Sequence, residues 1–213
     1  MEPDFWIERW EKKQIGFHGN VPNRFLVQYF SKLSLVPGAR IFLPLCGKTL
    51  DIHWLLSAGY KVVGAELSEL AITQLFEELE IKPEITILTD LKHYQAPNID
   101  IFVGDIFNVT PELLGQVNAI YDRAALVALP TEMRVKYTRH LIELATRAEK
   151  VLPQLLICFE YDPSIETGPP FSITEQEIKQ HYERYYSVQS LDSKEAFGDP
   201  RFKENAWLLL PNN

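Results

Sequence analysis

The stretch Arg40–Lys48, R-I-F-L-P-L-C-G-K, limits the possible folds of this chain more than any other. A buried-strand pattern runs straight into a glycine turn, and Leu50–Ala58 follows with the apolar density of a helix. In doubly wound α/β proteins, ligands bind in the crevice outside the carboxyl end of such a strand. A second apolar run, K-V-V-G-A-E, ends at Glu66, about 20 residues beyond Leu45. That is the spacing at which an acidic side chain meets the ribose of a nucleoside cofactor. The bland alternative for Glu66 is a strand-end carboxylate that caps the next helix dipole.

The surrounding pattern extends this start. Val62–Glu66 reads as a second strand, buried on both faces as parallel strands are. Ser68 can cap a helix carrying Ala71, Ile72, Leu75, Phe76 and Leu79 at 3.6-residue spacing. Ile85–Leu88 and Ile101–Val103 are further strand candidates, with a hairpin-like excursion between them. Ala119–Asp122 and Gln154–Tyr161 supply the fourth and fifth main strands. Between them Thr131 is expected to cap a long helix with Val135, Thr138, Leu141, Ile142 and Ala145 inward. Thr174 and Glu177 form a T-x-x-E capping box before a helix with Ile178, His181, Tyr182 and Tyr185 on one side. Ser187–Leu191 and Ala206–Leu210 close the chain as two strands. The expectation is one domain over residues 1–213, with residues 1–33 as an N-terminal helical cap. In that cap Trp6 and Trp10 share a helical face. They either pack on the core or form a lid over the crevice.

Charge and composition narrow the partners. The 213 residues carry 21 Lys and Arg against 29 Asp and Glu, a formal charge of −8, with no basic stripe. Nucleic acid is a poor partner for such a surface. No apolar run reaches the roughly 20 residues needed to span a bilayer, and the M-E-P-D-F-W start is unlike a signal peptide. A cytoplasmic protein is expected, with Cys46 and Cys158 as free thiols. No exposed heptad argues for assembly, so a monomer is expected. The five histidines show no metal-ligand spacing, so no metal is expected. Cys46 lacks a partnering histidine and reads as a small buried hydrophobe.

Three nucleotide chemistries can be weighed at Cys46-Gly47-Lys48-Thr49. A phosphate loop would place its first glycine at Phe42, where none stands, and a dinucleotide turn would need three glycines where P-L-C-G-K-T has one. A cofactor with a ribose but no phosphate fits better, and S-adenosylmethionine is such a cofactor.

The motifs P-L-C-G-K at 44–48, G-A-E-L-S-E-L at 64–70 and Y-D-R-A-A-L-V-A-L at 121–129 resemble those of the thiopurine S-methyltransferase family. So does W-x-x-x-W followed by G-F-H at 6–18, and the short segment before Trp6 is similar to the family's bacterial branch. The resemblance implies a class I, Rossmann-like methyltransferase: an α/β fold with a mostly parallel seven-stranded sheet, helices on both faces and an N-terminal helical lid. It implies S-adenosylmethionine as cofactor and a small aromatic or heterocyclic thiol as substrate. Trp10, with Trp6 and Phe17, would cover the cofactor; Leu45 would line its methionine part; Glu66 would hold the ribose hydroxyls. Asp105 and Ile106 would meet the adenine. Arg123 would lie near cofactor and substrate as the catalytic arginine, and Arg201 would be a second substrate-side arginine.

Methyl transfer from a sulfonium needs the acceptor sulfur held about 3–3.5 Å from the methyl carbon, so positioning supplies much of the rate. A heteroaromatic thiol is already acidic, and a guanidinium at Arg123 would favour its thiolate. The alternative for Arg123 is a structural pair with Asp122 or another strand-end carboxylate. Two rival activities remain open: methylation of an inorganic selenium or tellurium species or another small thiol, and a non-catalytic cofactor-binding module.

Overall fold

A computed structural model describes residues 3–146 and 151–212; Met1 and Glu2 of the expected cap lie outside the described residues. The strands are β1 (Arg40–Pro44), β2 (Lys61–Glu66), β3 (Glu84–Ile87), β4 (Lys92–Ala96), β5 (Ile99–Val103), β6 (Ala119–Arg123), β7 (Gln154–Glu160), β8 (Tyr186–Ala196) and β9 (Asp199–Pro211). The helices are α1 (Pro3–Glu11), α2 (Arg24–Tyr29), α3 (Leu50–Ser57), α4 (Glu69–Glu78), α5 (Pro111–Leu114), α6 (Thr131–Ala145) and α7 (Glu175–Tyr182).

All the strands join one sheet in the order β3-β4-β5-β2-β1-β6-β7-β9-β8. The five central strands, β5, β2, β1, β6 and β7, run parallel, and both flanks are antiparallel. The sheet therefore has nine strands rather than seven. One addition is β4, within the segment expected to be a hairpin-like excursion, and it pairs antiparallel with β3 and β5. Its K-H-Y-Q-A shows no apolar run because it needs only partial burial, pairing residue by residue with β5. The closing strands are also longer than expected and meet in a hairpin.

Alternation along the central strands splits the core into two layers. Ile41, Leu43, Val62, Ile101 and Tyr121 face one side with Phe25, Leu26 and Phe30 and with Ile52, Leu55, Ile72 and Leu75 of α3 and α4. Phe42, Val63, Phe102, Ile120 and Leu156 face the other with Tyr137 and Leu141 of α6 and with Ile178 and Tyr182 of α7. Each such side chain, fully buried, stabilises the fold by about 1.5–3 kcal/mol. Gly64 in β2 lets the layers close: a Cβ there would stand 2.7 Å from the Cys46 Sγ and from Ile101.

Helix ends follow side-chain chemistry. Asn23, Thr49, Ser68, Thr110 and Thr174 each accept a bond from a first-turn N–H. Thr131 does not cap α6. Pro130 holds the cap position, and the Thr131 hydroxyl accepts from Arg134 instead. Val135 is exposed, because the buried stripe runs through Arg134, Tyr137, Thr138, Leu141 and Ala145, one residue out of phase with it. Arg134 is tolerated inside because its guanidinium pairs with Glu177 and donates to the Leu129 carbonyl. That pairing takes the carboxylate the capping box needs, so only the Thr174 half of the box forms. Tyr185 lies past the end of α7 and is exposed.

Candidate active site

The carboxyl ends of β1, β2, β5 and β6 each break into a turn on the same side of the sheet. Leu45 (φ 47°) and Gly47 (φ 51°) put the β1 turn into the left-handed region. At Gly47 the need is doubled, since a Cβ would meet the Trp10 ring at 2.9 Å. The Cys46 N–H still pairs with the Ala65 carbonyl, so the turn leaves the sheet without a gap.

Glu66 ties this turn to its neighbour. One carboxylate oxygen accepts from the Gly47 N–H and the other from the Ser68 N–H, both at 2.8 Å. Its own carbonyl accepts from the Gly104 N–H at 2.9 Å, which draws in the β5 turn. Burial raises the Glu66 pKa, and the Ser68 and Gly47 N–H groups act against that rise. A carboxylate offers about four lone-pair sites, so acceptor capacity is left over for a further donor. Glu66 is thus a structural lock and a polar wall of the cavity at once. Asp105 caps the β5 turn through the Phe107 N–H, and Ile106 is buried beside it.

These turns floor a cavity of about 410 Å³. Trp6, Trp10, Phe17, Leu45, Glu66, Asp105, Ile106 and Arg123 all line it, so the structure gathers those expected site residues in one place. The aromatic cover is self-packed: Phe17 meets Trp6 and Trp10 edge-on at 5.6 and 5.4 Å. It is also pinned to the sheet, because Arg123 donates to the Phe17 carbonyl at 3.2 Å. Among the described residues Arg123 forms no ion pair, and Asp122 turns to Tyr137 and to the Leu126 N–H instead. The Nε of Arg123 is buried without a partner.

Arg201 is elsewhere. It does not line the cavity; its exposed guanidinium is held by Asp199, two residues earlier at the start of β9 in the closing hairpin. The residue that reaches the cavity from that hairpin is Phe197, which is 63% exposed at the turn, with φ 56°. Its ring packs at a tilt against Phe159, with centroids 4.8 Å apart. Pro169 and Pro170 complete this wall; the Tyr161 hydroxyl donates to the Pro170 carbonyl and the Phe171 N–H to the Val127 carbonyl. The sequence reading missed Phe159, Phe197, Met133 and Val127–Leu129. Arg9 and Gln14 were also missed, and the buried Arg9 Nε has no partner either. For Arg9 there was a signal: it follows the Trp6 turn of α1 by three residues, on the lining face.

Electrostatics sort the titratable groups. Burial and the nearby Glu66 push the Cys46 thiol up, so it stays protonated and is no nucleophile. Burial, with Lys48 and Arg123 close by, lowers the His18 pKa and keeps its ring neutral at pH 7. No group of three or more metal-ligating side chains occurs among the described residues.

The donor set fits a nucleoside sulfonium. Glu66 retains acceptor sites for a diol, Arg9 and Arg123, each with an unpartnered Nε, suit a carboxylate or thiolate, and aromatic faces suit a cation and a purine.

Comparison with known proteins agrees with this geometry. The family model described as thiopurine S-methyltransferase matches residues 1–210. The thiopurine S-methyltransferase of Xanthobacter autotrophicus is 50% identical over 98% of this chain and 99% of its own length. That of Acinetobacter baylyi is 46% identical over 98% of each chain. Among solved structures, a SAM-dependent methyltransferase from Anabaena variabilis superposes with a TM-score of 0.65 at 17% identity, over 99% of this chain and 95% of that one. The 1,6-didemethyltoxoflavin-N1-methyltransferase of Burkholderia thailandensis, solved with 1,6-didemethyltoxoflavin and S-adenosylhomocysteine, gives 0.69 at 11% identity, over 99% and 87%. At those identities the likeness is one of fold. The family match and the two curated relatives are of another order, and by them the chain belongs to the thiopurine S-methyltransferase family.

Proposed function

We propose that this protein is an S-adenosylmethionine-dependent methyltransferase acting on the sulfur of small aromatic or heterocyclic thiols, thiopurines among them. The observation that carries the proposal is one cavity lined by the locked Glu66 carboxylate, by Arg123 with its unpartnered Nε, and by aromatic walls. When bound, S-adenosylmethionine supplies a sulfonium-activated methyl group open to displacement by a thiolate.

Glu66 would accept the ribose hydroxyls on the lone pairs that Gly47 and Ser68 leave over. Trp6, Trp10 and Phe17 would cover that end and exclude water, which strengthens each charge interaction beneath them. Asp105 and Ile106 would border the adenine, and Leu45 the methionine part. Arg123 would lower the pKa of an incoming thiol by favouring its charged form and would orient the sulfur. Neutral His18 adds no competing cation. Phe159, Phe197, Pro169 and Pro170 form an apolar slot suited to a flat ring. A dissolved small-molecule partner, met by a cytoplasmic monomer, suits the −8 charge. No helix among the described residues is long and apolar enough to cross a membrane.

Incubation with S-adenosylmethionine and 6-mercaptopurine tests this reading, with S-methylated product expected. Arg123→Ala should lower turnover by about 30-fold while S-adenosylhomocysteine affinity changes by less than about threefold. Cofactor binding without turnover on any thiol would instead support a non-catalytic module, and faster turnover on selenite than on 6-mercaptopurine would move the acceptor class.

A further inference from the structure

The turn after β6 carries Arg123 and then the Val127–Leu129 wall, yet its backbone is unfavourable for its residues. Ala124 sits at φ 62°, a region that any residue with a Cβ disfavours. Something must hold it. The holding group is Asp122, which is fully buried. One of its oxygens accepts from the Leu126 N–H at 3.2 Å, closing the turn across Ala124, and the other accepts from the Tyr137 hydroxyl of α6 at 2.7 Å. The turn in turn anchors the far wall, since the Val127 carbonyl accepts from the Phe171 N–H just beyond Pro169–Pro170.

We propose that Asp122, clamped by Tyr137, is the positioning residue of the acceptor half: its ionised carboxylate holds the Arg123–Leu126 turn so that Arg123 and the Val127–Leu129 wall face the acceptor. This rests on the methyltransferase reading above.

The groups facing Asp122 leave its charge to hydrogen bonds. Tyr137 comes from α6, Tyr182 from α7 and Cys158 from β7, and all three are held protonated by burial. The Arg134–Glu177 pair lies beyond Cys158 and is internally balanced. Arg123 points its guanidinium at Phe17. No cation pairs with Asp122 among the described residues, and burial pushes its pKa up to about 6 against the pull of Tyr137, Leu126 and Ala125. Below that pH the carboxyl is neutral, the charge-assisted tie to Leu126 weakens and the turn is released.

Methyl transfer to 6-mercaptopurine from pH 5 to 9 tests this in wild type, Tyr137→Phe and Asp122→Asn, with S-adenosylhomocysteine calorimetry alongside. Wild-type kcat should fall on an acid limb near pH 6. Tyr137→Phe removes a bond that favours the charged form, so its limb should move up by roughly half a unit or more. Asp122→Asn should lose the limb and about tenfold in kcat, with cofactor affinity within twofold. The thiol's own ionisation is common to all three proteins, so a limb that moves belongs to the enzyme. Limbs at one pH in all three would overturn the proposal. A second readout needs no turnover: carboxyl-carbon NMR of Asp122 and hydrogen exchange at Leu126. The carboxyl should titrate near pH 6, higher in Tyr137→Phe, with Leu126 protection falling in step; protection unchanged through that titration would overturn the positioning role even if no thiol were methylated.

Discussion

The half of the cavity proposed for the cofactor is tied together by hydrogen bonds to backbone, whereas the half proposed for the acceptor is assembled from side chains far apart in the chain. On the first side Glu66 joins the turns at Gly47 and Ser68, and the Gly104 N–H joins a third to the Glu66 carbonyl. On the second side Val127, Phe159, Pro170 and Phe197 meet from separate segments, and Phe197 keeps a largely exposed ring. Hydrogen bonds at the ends of buried parallel strands define positions closely. Apolar contact between loops defines a shape that tolerates different flat ligands. The contrast suits a fixed cofactor and a variable acceptor.

The largest effect should come from cutting the backbone tie. Glu66→Ala removes a charged acceptor from two backbone donors and from the ribose, and should weaken S-adenosylhomocysteine binding about a thousandfold, ~4 kcal/mol. Calorimetry at pH 7.5 measures it, and unchanged affinity would take Glu66 out of the ribose role. Next is the seam between the halves. The Asp122 pKa is raised in the folded protein from 3.8 to about 6, so the native state binds its proton more tightly than the unfolded chain. The stability this confers is complete below about pH 4 and is lost as pH rises through about 6. It amounts to roughly 3 kcal/mol. Relative to wild type, Asp122→Asn should therefore gain stability by about that much between pH 4 and pH 7, read from urea midpoints; a difference independent of pH would show that Asp122 does not titrate in this window.

The acceptor half should respond more weakly. Phe197→Ala should raise KM for 6-mercaptopurine about fivefold, ~1 kcal/mol, by removing one aromatic face, while S-adenosylhomocysteine affinity stays within twofold. A loss of cofactor affinity instead would mean that the two halves are not separately built. Smallest of all, Arg201→Ala should change kcat/KM by less than twofold, because its guanidinium is engaged with Asp199 on the exposed hairpin. A tenfold loss would mean that the hairpin swings inward over the acceptor and that Arg201 reaches it.

The cofactor half was also the more legible in the sequence. Leu45, Gly47 and Glu66 lie within one strand–helix–strand unit, and there a short run of residues specifies both the turn and its place at the strand ends. Trp6 and Trp10 share a helical face in the sequence, but that they line the crevice beside Phe17, whose carbonyl accepts from Arg123, depends on the fold. β4 was missed because an antiparallel strand with one open face need not carry an apolar run. Val135 was misplaced because a 100° error in helical phase moves a residue off the buried stripe. Arg201 was aligned by motif, yet which member of A-F-G-D-P-R-F turns inward depends on the register of a hairpin, and the structure turns in Phe197.

By itself the sequence determined the doubly wound core, the turn at Gly47, the acid at Glu66 and the lack of the phosphate-loop and dinucleotide glycine patterns, since these depend on local spacing and on glycines present or absent. Only the tertiary structure decided that Asp122 serves Tyr137 and the Leu126 N–H rather than Arg123, and that Phe159, Pro170 and Phe197 share one wall. Those outcomes depend on which buried donor lies nearest in space and on where distant loops converge, and neither is written in the spacing of neighbouring residues.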